Sequence, residues 1–241
     1  MDALIYTVMS GASRALHAQQ VHANNMANVE TTGFRADLEV AQSQQVPGYG
    51  YDDRHLASLQ ANAVNAASGT LVQTGRELDV AVRGPGYFTV GYRGGEAYTR
   101  GGNFEVDADG ALSLNGRPVL GDGGAIVLPP YDRLSIGQDG MISIVPPGGS
   151  EAQAVDRLKL VNPPAAGVVK NEAGLIVPRS GQTLEADDSV RVQGGHLERS
   201  NVSAVEEMLQ TMGLNRDFEL QMRLFKAADG MADSGNRLIR S

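Results

Sequence analysis

Residue types that commonly carry chemistry are sparse in this sequence. Its histidines are His17, His22, His55 and His196. His17 and His22 stand five residues apart, so on a helix they do not share a face from which to hold a metal. Neither a His-Glu-x-x-His zinc pattern nor a Gly-x-Ser-x-Gly nucleophile elbow occurs. Gly84-Pro85-Gly86 has two of the three glycines of a dinucleotide loop. Strand-like Tyr87-Phe88-Thr89 follows where a helix would have to begin, so a hairpin turn explains it. Asp107-Ala108-Asp109-Gly110 has part of a calcium loop without the downstream glutamate, and reads as a turn. Asn201-Val202-Ser203 fits a glycosylation triplet only formally, because Ser203 is better used as a helix cap. The chain has no Cys, which removes disulfides, thiolate ligands and Cys nucleophiles. These residues predict no catalytic site, no metal and no cofactor.

Composition narrows the class further. With 241 residues, 41% hydrophobic and 20% charged, the chain can bury a core and is neither disordered nor membrane-like. A net charge of -8 argues against nucleic acid as a partner. No run of about 20 apolar residues is present to span a bilayer. The start, Met1-Asp2-Ala3-Leu4-Ile5-Tyr6, lacks the basic region and sustained apolar core of a cleavable signal peptide. Export, if it occurs, is expected by a route that needs no such signal.

The elements with the strongest pattern are the two ends. From Ala204, apolar and small residues recur at alternating four and three spacings: Met208, Thr211, Asn215, Phe218, Met222, Phe225, Asp229, Ala232, Asn236, Ile239. This predicts one heptad seam on a helix of nearly forty residues, about 55 Å long. Ser203-x-x-Glu206 is a capping box at its start. Glu206 and Glu207 in the first turn, and Arg237 and Arg240 in the last, suit the helix dipole. Phe218 and Phe225 flank Met222 at heptad spacing, which is a helix core and not a cofactor box. The polar positions Thr211, Asn215, Asp229 and Asn236 either select register and partner or face solvent. Residues 1 to about 28 carry a matching seam, Ile5, Met9, Ala12, Leu16, Gln19, Ala23, Met26, widened by Leu4, Val8 and Ala15. A domain of this size cannot cover so long a seam, so other chains must bury it.

The first helix ends in Asn24-Asn25-Met26-Ala27-Asn28-Val29-Glu30-Thr31-Thr32-Gly33-Phe34-Arg35. Asn and Gly tolerate the left-handed backbone that stops helices. The string matches at every position the pattern Asn-Asn-x-Ala-Asn-x-x-Thr-x-Gly-Phe-Lys/Arg, and so resembles the N-terminal signature of bacterial flagellar rod and hook proteins. Two further blocks resemble that family in the same order. One is Leu78-Asp79-Val80-Ala81-Val82-Arg83-Gly84-Pro85-Gly86-Tyr87-Phe88 with Tyr98-Thr99-Arg100-Gly101-Gly102-Asn103-Phe104. The other is Ser200-Asn201-Val202 with Val205-Glu206-Glu207-Met208. The opening residues and the modest length are most similar to proximal rod members, with distal rod members near and hook members usually longer.

Between about 36 and 76 the chain is polar and irregular, including Pro47-Gly48-Tyr49-Gly50-Tyr51. Its residues leave open a solvated linker or a functional connection, and the family resemblance implies an extended, sometimes hairpin-like one. From Leu78 to about Val192 short apolar runs alternate with turn dipeptides. The runs are Leu78-Val82, Tyr87-Tyr92, Ala111-Leu114, Ile126-Leu128, Arg133-Ile136, Met141-Val145 and Arg157-Val161. Breaks such as Gly94-Gly95, Asp109-Gly110, Asn115-Gly116 and Asp139-Gly140 are strong hairpin signals. No helix is expected there. The fold class expected is α+β: a discontinuous, coiled-coil-like helical domain from residues 1–35 and 197–241, a connection over 36–76, and an all-β, hairpin-rich domain over 77–196.

The resemblance implies a structural subunit of the flagellar basal body, whose terminal helices line an export channel with the β domain outside. It implies copies of itself and other rod proteins as partners, with passage through the flagellar type III export apparatus and no cleavage. It does not imply nucleic acid, membrane insertion or a cofactor. The candidate assembly residues are Ile5, Met9 and Leu16 on the first helix. In the signature they are Asn24, Asn25, Asn28, Thr31, Gly33 and Phe34. At the other end they are Asn201, Val205, Met208, Met212, Phe218, Met222 and Phe225. Two readings of other classes stand beside this one. A wall-remodelling hydrolase needs a paired-carboxylate site that the sequence does not supply, and a surface binding protein on a coiled-coil stalk predicts a stable oligomer in isolation.

Overall fold

The computed structural model describes residues 2–45 and 55–240; the stretch Pro47-Gly48-Tyr49-Gly50-Tyr51 lies outside the described residues. The chain is α+β, with helices at both ends and a β-rich middle. It opens with α1 (Asp2–Ala27), followed by β1 (Asp37–Gln45), β2 (His55–Val64) and β3 (Leu71–Gln73). Next come β4 (Val80–Arg83), β5 (Tyr87–Tyr92), β6 (Gly95–Thr99), β7 (Glu105–Val106), β8 (Leu112–Leu114) and β9 (Arg117–Pro118). After them are β10 (Leu120–Gly121), β11 (Gly124–Ala125), β12 (Arg133–Ile136), β13 (Met141–Val145), β14 (Gln153–Arg157) and β15 (Leu160–Val161). β16 (Val168–Lys170), β17 (Ile176–Pro178), β18 (Arg191–Gly194) and β19 (His196–Glu198) complete the strands, and α2 (Ala204–Arg240) follows.

Two compact units divide the chain. One gathers Met1–Ala27, Asp37–Asn62 and Ser203–Ser241, and the other Asn28–Ala36 and Ala63–Val202. In the first unit α1 and α2 run in opposite directions, since Gln19 meets Asn215 while the later His22 meets the earlier Glu207. Ser203 begins α2 as its sequence predicts: its Oγ accepts the Glu206 N–H at 3.5 Å and its carbonyl accepts the Glu207 N–H at 3.0 Å. β1 and β2 pair as a two-stranded sheet, where polar composition alone predicts only an extended or irregular path.

The second unit is built from short antiparallel pairs. Its largest sheet runs β15-β5-β6-β17-β16, beside a three-stranded β12-β13-β14 and a three-stranded β7-β8-β9. Asn115 and Gly116 both take positive φ, 50° and 74°, between β8 and β9, the geometry a two-residue Asn-Gly hairpin requires. Alternate residues point inward along β13, where Ile142 and Ile144 are buried. They join Val80, Phe88, Leu112, Leu134 and Leu158 in one continuous core, in which Phe88 and Phe104 meet edge to face at 5.2 Å.

Several sequence expectations change here. Ile126-Leu128 is not a strand; only Val127 makes a bridge, to Ala111. The run Arg157-Val161 is cut in two, Arg157 closing β14 and Leu160 opening β15. β6, β16 and β17 are strands beyond the runs named from the sequence: β16 and β17 form a hairpin, and β17 joins β6 through Ile176 and Tyr98. One short 3-10 turn, Ala165–Gly167, lies in the span where no helix is expected.

Candidate functional site

A 4-3 repeat of covered positions runs along both terminal helices, rotated from the expected one. On α1 Val8, Ala15, Ala18 and Asn25 are buried, with Gly11 and His22 half-buried between them, while Ile5, Ala12, Gln19 and Met26 of the expected seam are half-buried too. The expected seam lies one residue further round, and Met9 and Leu16 are 55% and 45% exposed. On α2, Thr211, Phe218, Phe225 and Ala232 face inward as expected, but Glu207, Leu214, Gln221, Ala228 and Gly235 replace Met208, Asn215, Met222, Asp229 and Asn236. The reason is steric. A one-residue step turns a helix by about 100°, and this pair is built on α1's smallest side chains. A Cβ on Gly11 would lie 2.8 Å from the Gln221 Oε1. Small residues permit that approach, and the large Met and Leu side chains are turned outward.

Polar groups fix the register of the two helices. His22 Nδ1 lies 2.5 Å from the Glu207 Oε2, and Asn25 Nδ2 donates to the other oxygen of Glu207 at 3.2 Å. Gln19 Nε2 donates to Asn215 Oδ1 at 3.1 Å. Asn25, although expected at an assembly interface, is buried and engages the chain itself. Its Oδ1 accepts the Asp37 N–H at 2.8 Å and its Nδ2 donates to the Asp37 carbonyl at 3.0 Å. Arg14 pairs with Glu39 on β1 at 3.3 Å.

The remaining helical candidates lie on the open side. Val205, Met208 and Met212 are 69%, 58% and 56% exposed, at spacings of three and four on one face of α2. Met222 is exposed as well, while Ile5, Phe218 and Phe225 are half-buried. Leu220, Leu224 and Met231 form a further exposed apolar row that sequence reasoning did not single out.

In the second unit the first two blocks of the sequence signature meet at one buried carboxylate that stands just before the third. Glu198, at the end of β19, accepts from Arg35 Nη2 at 2.7 Å and from Arg100 Nη1 at 3.0 Å, with all three side chains at most 2% exposed. The Gly69 N–H donates to the Glu198 Oε1 at 2.7 Å. Arg100 also donates to the Gly84 and Val82 carbonyls and lies over the Tyr87 ring. Burial pulls the Arg100 guanidinium below its ordinary pKa, and the Glu198 charge opposes that pull. Two buried cations thus share one anion. Glu198 was not a sequence candidate; between Leu197 and Arg199, with Arg35 and Arg100 far off in the chain, nothing local marks it until the pairing is known.

Gly33 shows why the signature needs its residue type. Its φ is +69°, and a Cβ there would lie 2.1 Å from the Gly101 nitrogen. Its N–H donates to the Glu198 carbonyl at 2.7 Å. Asn201 Oδ1 accepts the Ala36 N–H at 2.7 Å, and its Nδ2 reaches the Asn65 and Ala67 carbonyls. Phe34 is half-buried beneath the Lys170 ammonium, 3.7 Å from its ring centroid. Gly33 and Asn201 therefore hold the fold of this unit. Asn24 and Thr31 are exposed, and Thr31 Oγ1 donates to Asn28 Oδ1 at 3.1 Å.

Among the described residues no group of three His, Asp or Glu is arranged to hold a metal, and no helix is long and apolar enough to cross a membrane. His55 meets Ser43, and His196 meets Gln193 and the Gly194 carbonyl.

Family comparison agrees with this architecture piece by piece. Residues 5–35 match the flagella basal body rod protein family, residues 81–144 the flagellar hook protein FlgE/F/G D1 domain, and residues 193–238 the C-terminal domain of flagellar basal body rod FlgEFG proteins. The chain belongs to the flagellar basal-body rod protein family, whose members are structural proteins and not enzymes. Its full-length similarity is to flagellar basal-body rod protein FlgF: 37% identity to that of Salmonella typhimurium strain LT2, covering 99% of each chain. Identity to FlgF of Escherichia coli strain K12 is 36%, again over 99% of each. Flagellar basal-body rod protein FlgG of Buchnera aphidicola subsp. Schizaphis graminum is 30% identical over 92% of this chain and 96% of its own length.

Proposed function

We propose that this chain is a structural subunit of the bacterial flagellar rod that joins copies of itself and other rod proteins through the outward faces of α1 and α2. The observation that carries this is the set of large apolar side chains left open on both helices: Met9 and Leu16 on α1, with Val205, Met208, Met212 and Met222 on α2. Burying a side chain of this kind is worth about 1.5–3 kcal/mol, so a neighbour that covers several of them offsets the cost of ordering the ends. Ile5, Phe218 and Phe225 border the same faces. Asn24 extends the interface at the end of α1, and Asn25 supports it from within. In the second unit Asn28, Thr31 and Phe34 are candidates for a contact of its own, while Gly33 and Asn201 hold that unit's fold.

On α1 the covered positions are mostly small or polar, and on α2 Leu214, Phe218 and Phe225 are only half-buried, so α1 and α2 form a coiled-coil-like pair whose apolar surface is incompletely covered. Such a pair is marginal in isolation and becomes firm when neighbours dock, which suits a chain that passes unfolded through the flagellar type III export apparatus, uncleaved, to the periplasm-spanning rod. Head-to-tail contacts that do not close give a helical tube, here one that encloses the export channel and transmits torque.

The test is Met208→Asp/Met212→Asp. Both side chains are exposed, so the purified variant should melt as wild type does, while its incorporation into basal bodies and swimming in soft agar should be lost. Normal swimming by a normally expressed variant overturns the proposal.

A further inference from the structure

Arg83, the last residue of β4, and Arg191, the first of β18, are direct partners across their antiparallel pair. Like charges directly opposite one another destabilise a sheet pair, and nothing within the described chain relieves them. Arg191 donates only to the backbone carbonyls of Asp188 and Val190, at 2.6 and 3.0 Å. Arg83 is exposed, and its side chain makes no hydrogen bond or ion pair with any described residue. The two arginines line an open cleft of about 380 Å³ whose other walls are Gln138, Val192 and Gln193. Asp188, the nearby acid, pairs with Arg157 instead. The cleft therefore presents two cations, two amides and no carboxylate.

The same unit carries the complementary feature. Glu105, Asp107 and Asp109 occupy alternate positions leaving β7, and all three are exposed with no cation partner among the described residues. Asp107 is held in place, since its Oδ1 accepts the N–H groups of Asp109 and Ala111 at 3.0 and 2.7 Å. Glu105 and Asp107, alternate along the end of β7 before the chain turns, stand about 6.6 Å apart as in extended chain, and the roots of cross-strand partners about 5 Å. Two carboxylates of this turn thus match two guanidiniums within side-chain reach. With a net charge of -8, copies of the chain repel one another unless a basic site meets an acidic one.

We infer that the Arg83–Arg191 cleft receives the Glu105–Asp109 turn of a second copy of this chain. The inference rests on the reading of the chain as an assembling subunit and adds to it a polar contact outside the terminal helices. Different patches meet on the two copies, so the contact propagates and does not close on itself. Charge pairs at an interface rim act on register and encounter more than on affinity. This contact accordingly sets how one copy is placed against the next.

The chain has no Cys, so introduced thiols report cleanly. Basal bodies from cells carrying Arg83→Cys/Asp109→Cys, once oxidised, should yield covalently linked dimers and longer oligomers that neither single variant gives. Arg83→Glu/Arg191→Glu should lower incorporation by about tenfold or more, as should Glu105→Arg/Asp109→Arg, and the chain with all four changes should recover to within about twofold. All sites are exposed, and unchanged melting of each purified variant separates docking from folding. Full incorporation of either charge-reversed variant, or no recovery in the combined chain, overturns this inference and leaves the rod reading standing. Absence of the wild-type chain from basal bodies overturns both.

Discussion

Glu198→Ala is expected to unfold much of the second unit's stability at one stroke. The carboxylate lost is fully buried and accepts from Arg35, Arg100 and the Gly69 N–H. Its removal leaves two buried guanidinium charges without a counter-charge, although Arg100 keeps the Val82 and Gly84 carbonyls, and takes the acceptor from the Gly69 N–H. Removing one partner of a buried ion pair costs about 3–5 kcal/mol, and an unpaired buried N–H adds about 1–3 kcal/mol. Three nitrogens, Arg35 Nε and Nη1 and Arg100 Nε, have no partner among the described residues even before the change, so the cluster has no spare acceptor to fall back on. The expected loss is at least about 4 kcal/mol, a large part of the roughly 5–15 kcal/mol that holds a typical domain. The assay is urea denaturation of the full chain, followed by near-ultraviolet circular dichroism. Tryptophan is absent, so tyrosines such as Tyr87 and Tyr98 in this unit dominate that signal. With slopes of about 1–3 kcal/mol per molar urea, the midpoint should fall by more than about 1 M. The apolar triple change Arg35→Met/Arg100→Met/Glu198→Leu should lie within about 1–2 kcal/mol of wild type or above it, because it removes the charges together. A Glu198→Ala chain within 1 kcal/mol of wild type, on the order of experimental error, refutes the reasoning.

Two further outcomes follow from the same unit. Gly33→Ala places a methyl 2.1 Å from the Gly101 nitrogen at a φ of +69°; strain of about 1–3 kcal/mol plus that clash should lower the melting temperature by more than about 5 °C, where Gly75→Ala, with open space around it, should lower it less. Burial raises the Tyr98 pKa above its ordinary 10.0, helped by the Glu96 charge and opposed by the hydrogen bond from the Leu184 N–H. Folding therefore holds the proton on this phenol. The associated stability is complete below the ordinary tyrosine value and drains away as pH rises through the raised one, so unfolding midpoints should decline above about pH 10. Tyr98→Phe should flatten that alkaline decline in a pH series of melts, at a cost near neutrality of about 1 kcal/mol for the lost bond to Leu184.

Local chemistry was legible in the sequence wherever a few neighbouring residues decide the outcome. Asn115-Gly116 turned the chain because both residues accept positive φ. Ser203 opened α2 because its hydroxyl caps a free N–H, and β12 and β13 kept the bounds that their alternation predicts. The signature Asn24–Arg35 identified the family without any contact being known. What failed needed partners from far along the chain. β6 and β17 pair at Tyr98 and Ile176, which share one buried cluster, and no local pattern announces a partner that far along the chain.

The sequence by itself determined that both ends are helices with a heptad repeat, that turns divide the middle into short strands, and that the whole belongs to the rod family. It did not determine which way the helices face. Met9, Leu16, Met208 and Met222 looked like part of the seam, yet the tertiary structure buries Ala15 and Ala18 on α1, keeps Phe218 and Phe225 half-buried on α2 and leaves those four open. Periodicity fixes the pitch of a stripe, but only packing chooses between two stripes one residue apart, since close approach favours the smaller one. Tertiary structure likewise decided that Arg35, Arg100 and Glu198 are one site, because a buried charge is tolerable only where its opposite arrives from elsewhere in the chain.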